Sequence, residues 1–150
     1  MNYFFEFESD FVESLRCIPM IVRMKLDTCG VKLKLFHWHQ FSQLERETVV
    51  KMPCEIETDI NNYRRFVQDL VIAKTGEPAP SLPVEKEPAW HNKQTIPESV
   101  QEKAQEFDVK ISIEKWQKLT PLQRFALIKL SHPSHENRNF LPALKEFNLL

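Results

Sequence analysis

The densest run of potentially reactive side chains is "KLSHPSHENRNFLPALKEF", Lys129 to Phe147, where His132, His135, Glu136, Asn137, Arg138 and Asn139 crowd together ahead of an apolar segment. The two histidines are three residues apart, a spacing that places ligands on one helix face, but Pro133 stands between them and breaks such a helix. Glu136 directly follows His135, which fits neither the His-Glu-x-x-His zinc pattern nor its inversion. A zinc hydrolase needs a preorganised triad of ligands and an open position, and the spacing supplies no triad. The stretch reads as a polar turn in which Ser134 or Asn139 caps a helix, Arg138 and Glu136 tie the turn to backbone, and Pro142 sits in the first turn of a last helix, "FLPALKEF". So dense a mix of donors and acceptors also suits a surface recognition patch.

The other chemical candidates are weaker. In "FHWHQF", His37 and His39 diverge by about 200° on a helix, so one ion cannot take both, and they read as flanks of a core tryptophan, Trp38. Cys17, Cys29 and Cys54 are odd in number and never at Cys-x-x-Cys spacing, the pattern of small reduced core residues in a cytosolic chain. No nucleophile elbow or local Ser-His-Asp ordering can be assembled. The only glycines are Gly30 and Gly76, each behind a helical pattern, whereas phosphate loops and dinucleotide fingerprints need several. No catalytic residue, no metal ligand set and no cofactor is therefore assigned.

The elements that must position these residues are helical. The chain has 150 residues, enough for one domain or for two small halves sharing a core, and its formal charge of −1 gives no basic field to draw it to nucleic acid. Gln123 and Arg124 alone are too thin for a helix-turn-helix reader. No apolar run approaches a membrane span, and the acidic N-terminus does not resemble a signal peptide, so the expectation is a cytoplasmic protein.

Asp10 is a plausible cap for a first short helix through Leu15, which Pro19 ends. "PMIVRMKLDTCG" runs to a Gly30 cap. "VKLKLFHWHQFSQLERETVVKMP" reads as two short helices, the second capped by Ser42 and stopped by Pro53, with "VKLKL" also open to a brief extended piece. In "TDINNYRRFVQDLVIAKTG", Ile60, Tyr63, Phe66, Val67, Leu70 and Val71 make one apolar stripe behind a Thr58 or Asp59 cap. Residues 75–96 hold Pro78, Pro80, Pro83 and Pro88 and little periodicity, an extended strap with Trp90 as an anchor. Thr120 then caps a helix with Pro121 at its first position.

Residues 31–52 align without gaps on 109–130 at an offset of 78. Trp38 meets Trp116, Arg46 meets Arg124, Ser42 meets Thr120 and, upstream, Pro19 meets Pro97. Coincident caps, prolines and tryptophans argue for an internal duplication. The expected fold is all-α, a single helical domain over 1–150. Its two pseudo-repeated helical halves, about 19–74 and 97–150, are joined by the Pro-rich strap.

Two strings, "FEFESDFVESLRCIPMIVRMKLDTCGVKL" and "LTPLQRFALIKLSHPSHENRNFLPALKEF", resemble the small nitrate reductase-associated proteins, chiefly cyanobacterial and of the NarM type. The resemblance runs from about Phe5 to Phe147 and is weakest in the strap. It implies a non-catalytic accessory factor, not an enzyme, that binds assimilatory nitrate reductase and helps mature or activate it. Within the resembling strings, the polar positions that would meet a partner are Glu13, Arg16, Arg23, Lys25, Asp27, His132, His135, Glu136, Asn137, Arg138 and Asn139. The residues also leave open a carrier of molybdopterin or metal at the Arg- and His-bearing loop, and a regulatory nucleic-acid binder.

Overall fold

The structure, a computed structural model, describes residues 3–12, 14–133 and 137–150. Glu13, Ser134, His135 and Glu136 thus lie outside the described residues. The architecture is all-α, with no strand among the described residues, and the chain divides into two compact units, Met1–Glu85 and Lys86–Leu150.

In the first unit, α1 (Ser9–Val12), α2 (Met20–Cys29), α3 (Leu35–Gln40), α4 (Gln43–Lys51) and α5 (Glu57–Thr75) follow one another. The stripe on α5 does what its spacing predicts: Tyr63, Val67 and Val71 are buried, while Ile60, Phe66 and Leu70 pack partly buried against the same core. That core also takes Val22, Leu26 and Cys29 from α2, Trp38 from α3 and Val49 and Val50 from α4. The Tyr63 hydroxyl donates to Val49 O at 2.9 Å, so its polar tip is satisfied where the ring is buried. At the far end Lys74 meets Glu45 at 3.3 Å, which makes α5 run antiparallel to α4.

In the second unit, α6 (Glu98–Gln105), α7 (Ile113–Lys118), α8 (Pro121–Ser131) and α9 (Phe140–Glu146) bury Val100, Ala104, Trp116, Phe125, Ala126, Leu127, Leu130, Phe140, Ala143 and Leu144. Trp90, on a short 3-10 turn, sets its ring edge-on to Phe125 with centroids 5.0 Å apart. Thr120 caps α8 as its sequence predicts, accepting from Gln123 N while the Gln123 side chain accepts from Thr120 N, and Ser42 with Glu45 does the same for α4. Gly30 and Gly76 are left-handed C-caps, at φ 80° and 88°.

Three expected caps are corrected. Asp10 lies inside α1, which ends at Val12 because the chain turns at Leu15 into the left-handed region, φ 56°. Helix α5 starts at Glu57, with Ile56 at its cap and no side-chain cap bond, so Thr58 and Asp59 fall in its first turn; there Glu57 and Asp59 oppose the exposed N–H ends electrostatically. Asn139 does precede α9, but its backbone is already helical because a 3-10 turn, Asn137–Asn139, feeds straight into the helix, and its side chain makes no cap bond. One cap was unforeseen: the buried Glu8 carboxylate accepts from Met20 N and Phe5 N, both at 3.0 Å, and supplies the acceptor that Pro19 lacks at the start of α2.

Candidate functional site

Of the polar positions in the first resembling string, two are spent on the unit's own backbone. Lys25 Nζ donates to Val50 O at 2.7 Å and Met52 O at 2.6 Å, fastening α2 to the exit of α4. Burial lowers its pKa, and the neighbouring Cys54 and Glu55 oppose that shift. Arg23 Nε donates to Ile18 O at 3.2 Å. Asp27 is half-buried, and Arg16 is exposed. In the second string, His132 and Arg138 are exposed, whereas Asn137 and Asn139 are half-buried on the 3-10 turn. Glu13, His135 and Glu136 fall outside the described residues, and the two strings belong to different units.

Cys29 and Cys54 are buried as expected of small core residues and carry no reactive signature, whereas Cys17 is half-buried instead of in the core. Burial pushes the Cys29 thiol up to about 11 and the Cys54 thiol to about 12, so both are protonated at neutral pH and poor nucleophiles. Arg64 Nε is committed to Cys29 O at 2.6 Å. Among the described residues no group of three or more His, Cys, Asp or Glu is placed to hold a metal ion. His37 is buried and His39 exposed on α3, so the two do not converge.

The dominant polar arrangement is not evident from the sequence, although its members are the aligned pairs Trp38/Trp116 and Arg46/Arg124. Trp38 is fully buried, and its Nε1 donates to Leu15 O at 2.7 Å. Arg46, one turn into α4, lays its guanidinium over the same corner, donating to Trp38 O at 3.1 Å, Leu15 O at 3.3 Å and His39 O at 3.2 Å. In the second unit Trp116, equally buried, donates to Asn92 O at 3.0 Å. Arg124 donates there to Trp90 O at 2.7 Å, to Trp116 O at 3.3 Å and to Leu119 O. Each arginine gathers a carbonyl from the segment ahead of the preceding helix, α2 or α6, and carbonyls from the end of the tryptophan helix itself. The difference is depth: Arg124 is 1% exposed and Arg46 half-buried.

A third pair of features concerns the backbone just after α2 and α6. Val31 N donates to Leu26 O and Val109 N to Ala104 O, both at 3.1 Å, so each helix turns off through the same bond into an extended piece. In the first unit the Pro-rich segment covers that piece: Leu82 N donates to Gly30 O and Lys32 N to Pro80 O, each at 2.8 Å, making an antiparallel bridge between Val31 and Ser81. The Gln68 side chain clamps Ala79 from below, donating to its O at 2.9 Å and accepting from its N at 2.8 Å. Gly30 has two reasons to be glycine, its positive φ and the 2.9 Å that would separate a Cβ from Leu82 O. The piece after α6 carries Asp108 at φ 58° instead; the Gln101 side chain clamps its Ile111, donating to the O at 2.7 Å and accepting from the N at 3.1 Å, whereas no chain segment covers Asp108 O and Lys110 N, which have no hydrogen-bond partner among the described residues.

No curated protein and no solved structure gives a significant match to this chain. One family model does, over residues 4–147, which is nearly the whole length and takes in both units. The chain belongs to the conserved nitrate reductase-associated protein family.

Proposed function

We propose that this protein is a non-catalytic accessory factor that binds assimilatory nitrate reductase and assists its maturation or activation. The family match over residues 4–147 carries this reading. The interior is compatible with it, because the buried polar residues Glu8, His37 and Arg124 and the half-buried Lys25 are engaged with backbone, Arg124 and Lys25 with carbonyls and Glu8 and His37 with amides, while the Trp90 indole N–H is the one buried side-chain donor among the described residues without a partner. Side chains committed in this way build a scaffold, and the surface is left to do the recognising.

The exposed members of the resembling strings, Arg16, His132 and Arg138, are the first to test as partner contacts. The experiment is affinity capture of the tagged protein from nitrate-grown cells of its source, wild type beside His132→Ala/Arg138→Ala, with mass spectrometry and assays for molybdopterin and metal on the eluate. Enrichment of nitrate reductase by the wild type and its loss with the folded double variant is the expected result. Absence of the reductase from a stable, folded bait overturns direct binding; stoichiometric pterin or metal in its place would make the protein a carrier.

We infer also that the units descend from one duplicated helical segment. The support is the recurrence at one offset of the tryptophan corner, the arginine staple, the capping box and the turn off the preceding helix.

A further inference from the structure

We infer that the backbone of Asp108–Lys110, which follows the left-handed turn at Asp108, is a docking edge for an extended, proline-containing, acid-flanked segment of a partner protein, taken up by strand addition. The inference rests on the accessory-binding reading and adds where and what kind of segment is bound. Its first support is the equivalent edge of the other unit, Gly30–Lys32, which binds a segment of this description. There the backbone of "EPAPSLPVEKE", Glu77 to Glu87, supplies Leu82 N to Gly30 O and Pro80 O to Lys32 N, each at 2.8 Å. At the offset of 78 the matching groups are Asp108 O and Lys110 N, and among the described residues neither has a hydrogen-bond partner. Backbone donors and acceptors aligned on an extended edge are the standard means by which a domain takes a peptide as an added strand.

Exposure follows the cover. Val31 is 1% exposed under its segment, whereas Val109 is half-buried between the exposed Asp108 and Lys110. Charge fits as well. Residues 1–85 hold ten Lys and Arg against thirteen Asp and Glu, while residues 86–150 hold ten against eight; around the edge in sequence Lys110, Lys115 and Lys118 are exposed, as are Glu106, Asp108 and Glu114. An incoming strand with glutamates on both flanks therefore meets a unit of opposite sign.

The two edges are not interchangeable, and the difference sets specificity. A Cβ at Gly30 would stand 2.7 Å from Val84 Cγ2. Asp108 carries that Cβ, so the strand that fits the second edge has a small residue at the place of Val84 and rides a few tenths of an ångström farther out.

The test uses the full chain, 15N-labelled, and two synthetic peptides: residues 77–87, and the same peptide with Val84→Gly. The expected result is saturable amide shifts centred on residues 108–111, slowed hydrogen exchange at the Lys110 amide, and tighter binding of the Val84→Gly peptide. Lys110→Pro, which removes the donor, should weaken binding at least about tenfold. Asp108→Gly should restore binding of the unmodified peptide. If Lys110→Pro does not fold, the exchange rate of Lys110 in the unmodified protein decides the matter. No shifts at millimolar peptide, shifts centred elsewhere, or unchanged Lys110 exchange at saturation would each overturn the inference. The reductase can be captured through another face without these shifts, and the shifts can occur with no reductase captured, so the two readings fail separately.

Discussion

Both units bury a tryptophan at the same place and staple the corner beside it with an arginine, yet they finish the adjoining edge in opposite ways. The first unit turns at a glycine and lays its own Pro-rich segment over the edge, with two backbone bonds and a glutamine clamp. The second turns at an aspartate, has a glutamine clamp of its own from Gln101 to Ile111, and leaves Asp108 and Lys110 exposed with no segment laid over them. What the two keep in common is the part that fixes backbone direction, a buried indole and a guanidinium binding carbonyls from two segments. What they do not share is a surface device. The corner thus behaves as scaffold and the edge as the place where one unit makes a contact that the other does not make within this chain.

The strongest way to break the comparison is to remove the tryptophans. Trp38→Ala and Trp116→Ala each take a fully buried side chain out of a core and remove an indole hydrogen bond, to Leu15 O, which keeps Arg46 as a donor, and to Asn92 O. Each should cost about 3–5 kcal/mol in chemical denaturation. A loss below about 1 kcal/mol in either variant would mean that the two corners are not equivalent.

The arginines should then separate. Arg124→Met leaves Trp90 O, Trp116 O and Leu119 O short of a charged donor in a site that water does not reach, and should cost about 3 kcal/mol. Arg46→Met does the same to carbonyls nearer solvent, which water can solvate, and should cost about 1 kcal/mol. Lysine should rescue neither, since one ammonium cannot reproduce the fork that spans several carbonyls. Equal losses for the two methionine variants would show that depth is not what distinguishes the corners.

Much of this was legible before any coordinates. The 3.6-residue stripe on α5, the hydroxyl caps at Ser42 and Thr120, the glycine caps and the burial of both tryptophans follow from local rules of spacing and dihedral preference. The arginine staples were not legible, because nothing in a sequence says that a charged residue on an amphipathic helix will turn inward to carbonyls from another segment. Leu15 at φ 56° and the Glu8 cap escaped for the same reason: each is fixed by bonds that arrive from residues distant in sequence. The polar string around His132 was conspicuous as composition, but its described members are spread between exposed and half-buried positions.

Turning from corner to edge, Gly30→Ala should cost about 2 kcal/mol, about 1 for the left-handed φ and the rest for pushing against Leu82 O and Val84. The reciprocal change, Asp108→Gly, relieves a left-handed non-glycine with nothing packed over it and should stabilise by about 0.5–1 kcal/mol. Thermal melts of the two variants should shift in opposite directions. Shifts of the same sign would mean that the turns after α2 and α6 do not carry the strain their dihedral angles indicate.

The smallest effect sharpens the comparison at the start of α3 and α7, where one joint is capped in two directions. In the first unit His37 Nδ1 reaches back to accept from Lys34 N at 3.0 Å, while in the second Ser112 Oγ reaches forward to accept from Lys115 N at 3.2 Å. Only the first cap titrates. Burial, with the Lys34 charge second, holds the His37 pKa below its ordinary value. The unfolded chain therefore takes up this proton first, and stability that is fully present above the ordinary histidine range is lost as pH falls toward the folded-state pKa. Protonation also removes the lone pair that Lys34 N needs. His37→Gln keeps an acceptor at the same helical position and should abolish this part of the pH dependence between neutral and mildly acidic solution. Ser112→Ala should cost about 1 kcal/mol at every pH in that window. Urea melts at several pH values would show the contrast, and an unchanged slope in His37→Gln would mean that another group governs the acid side.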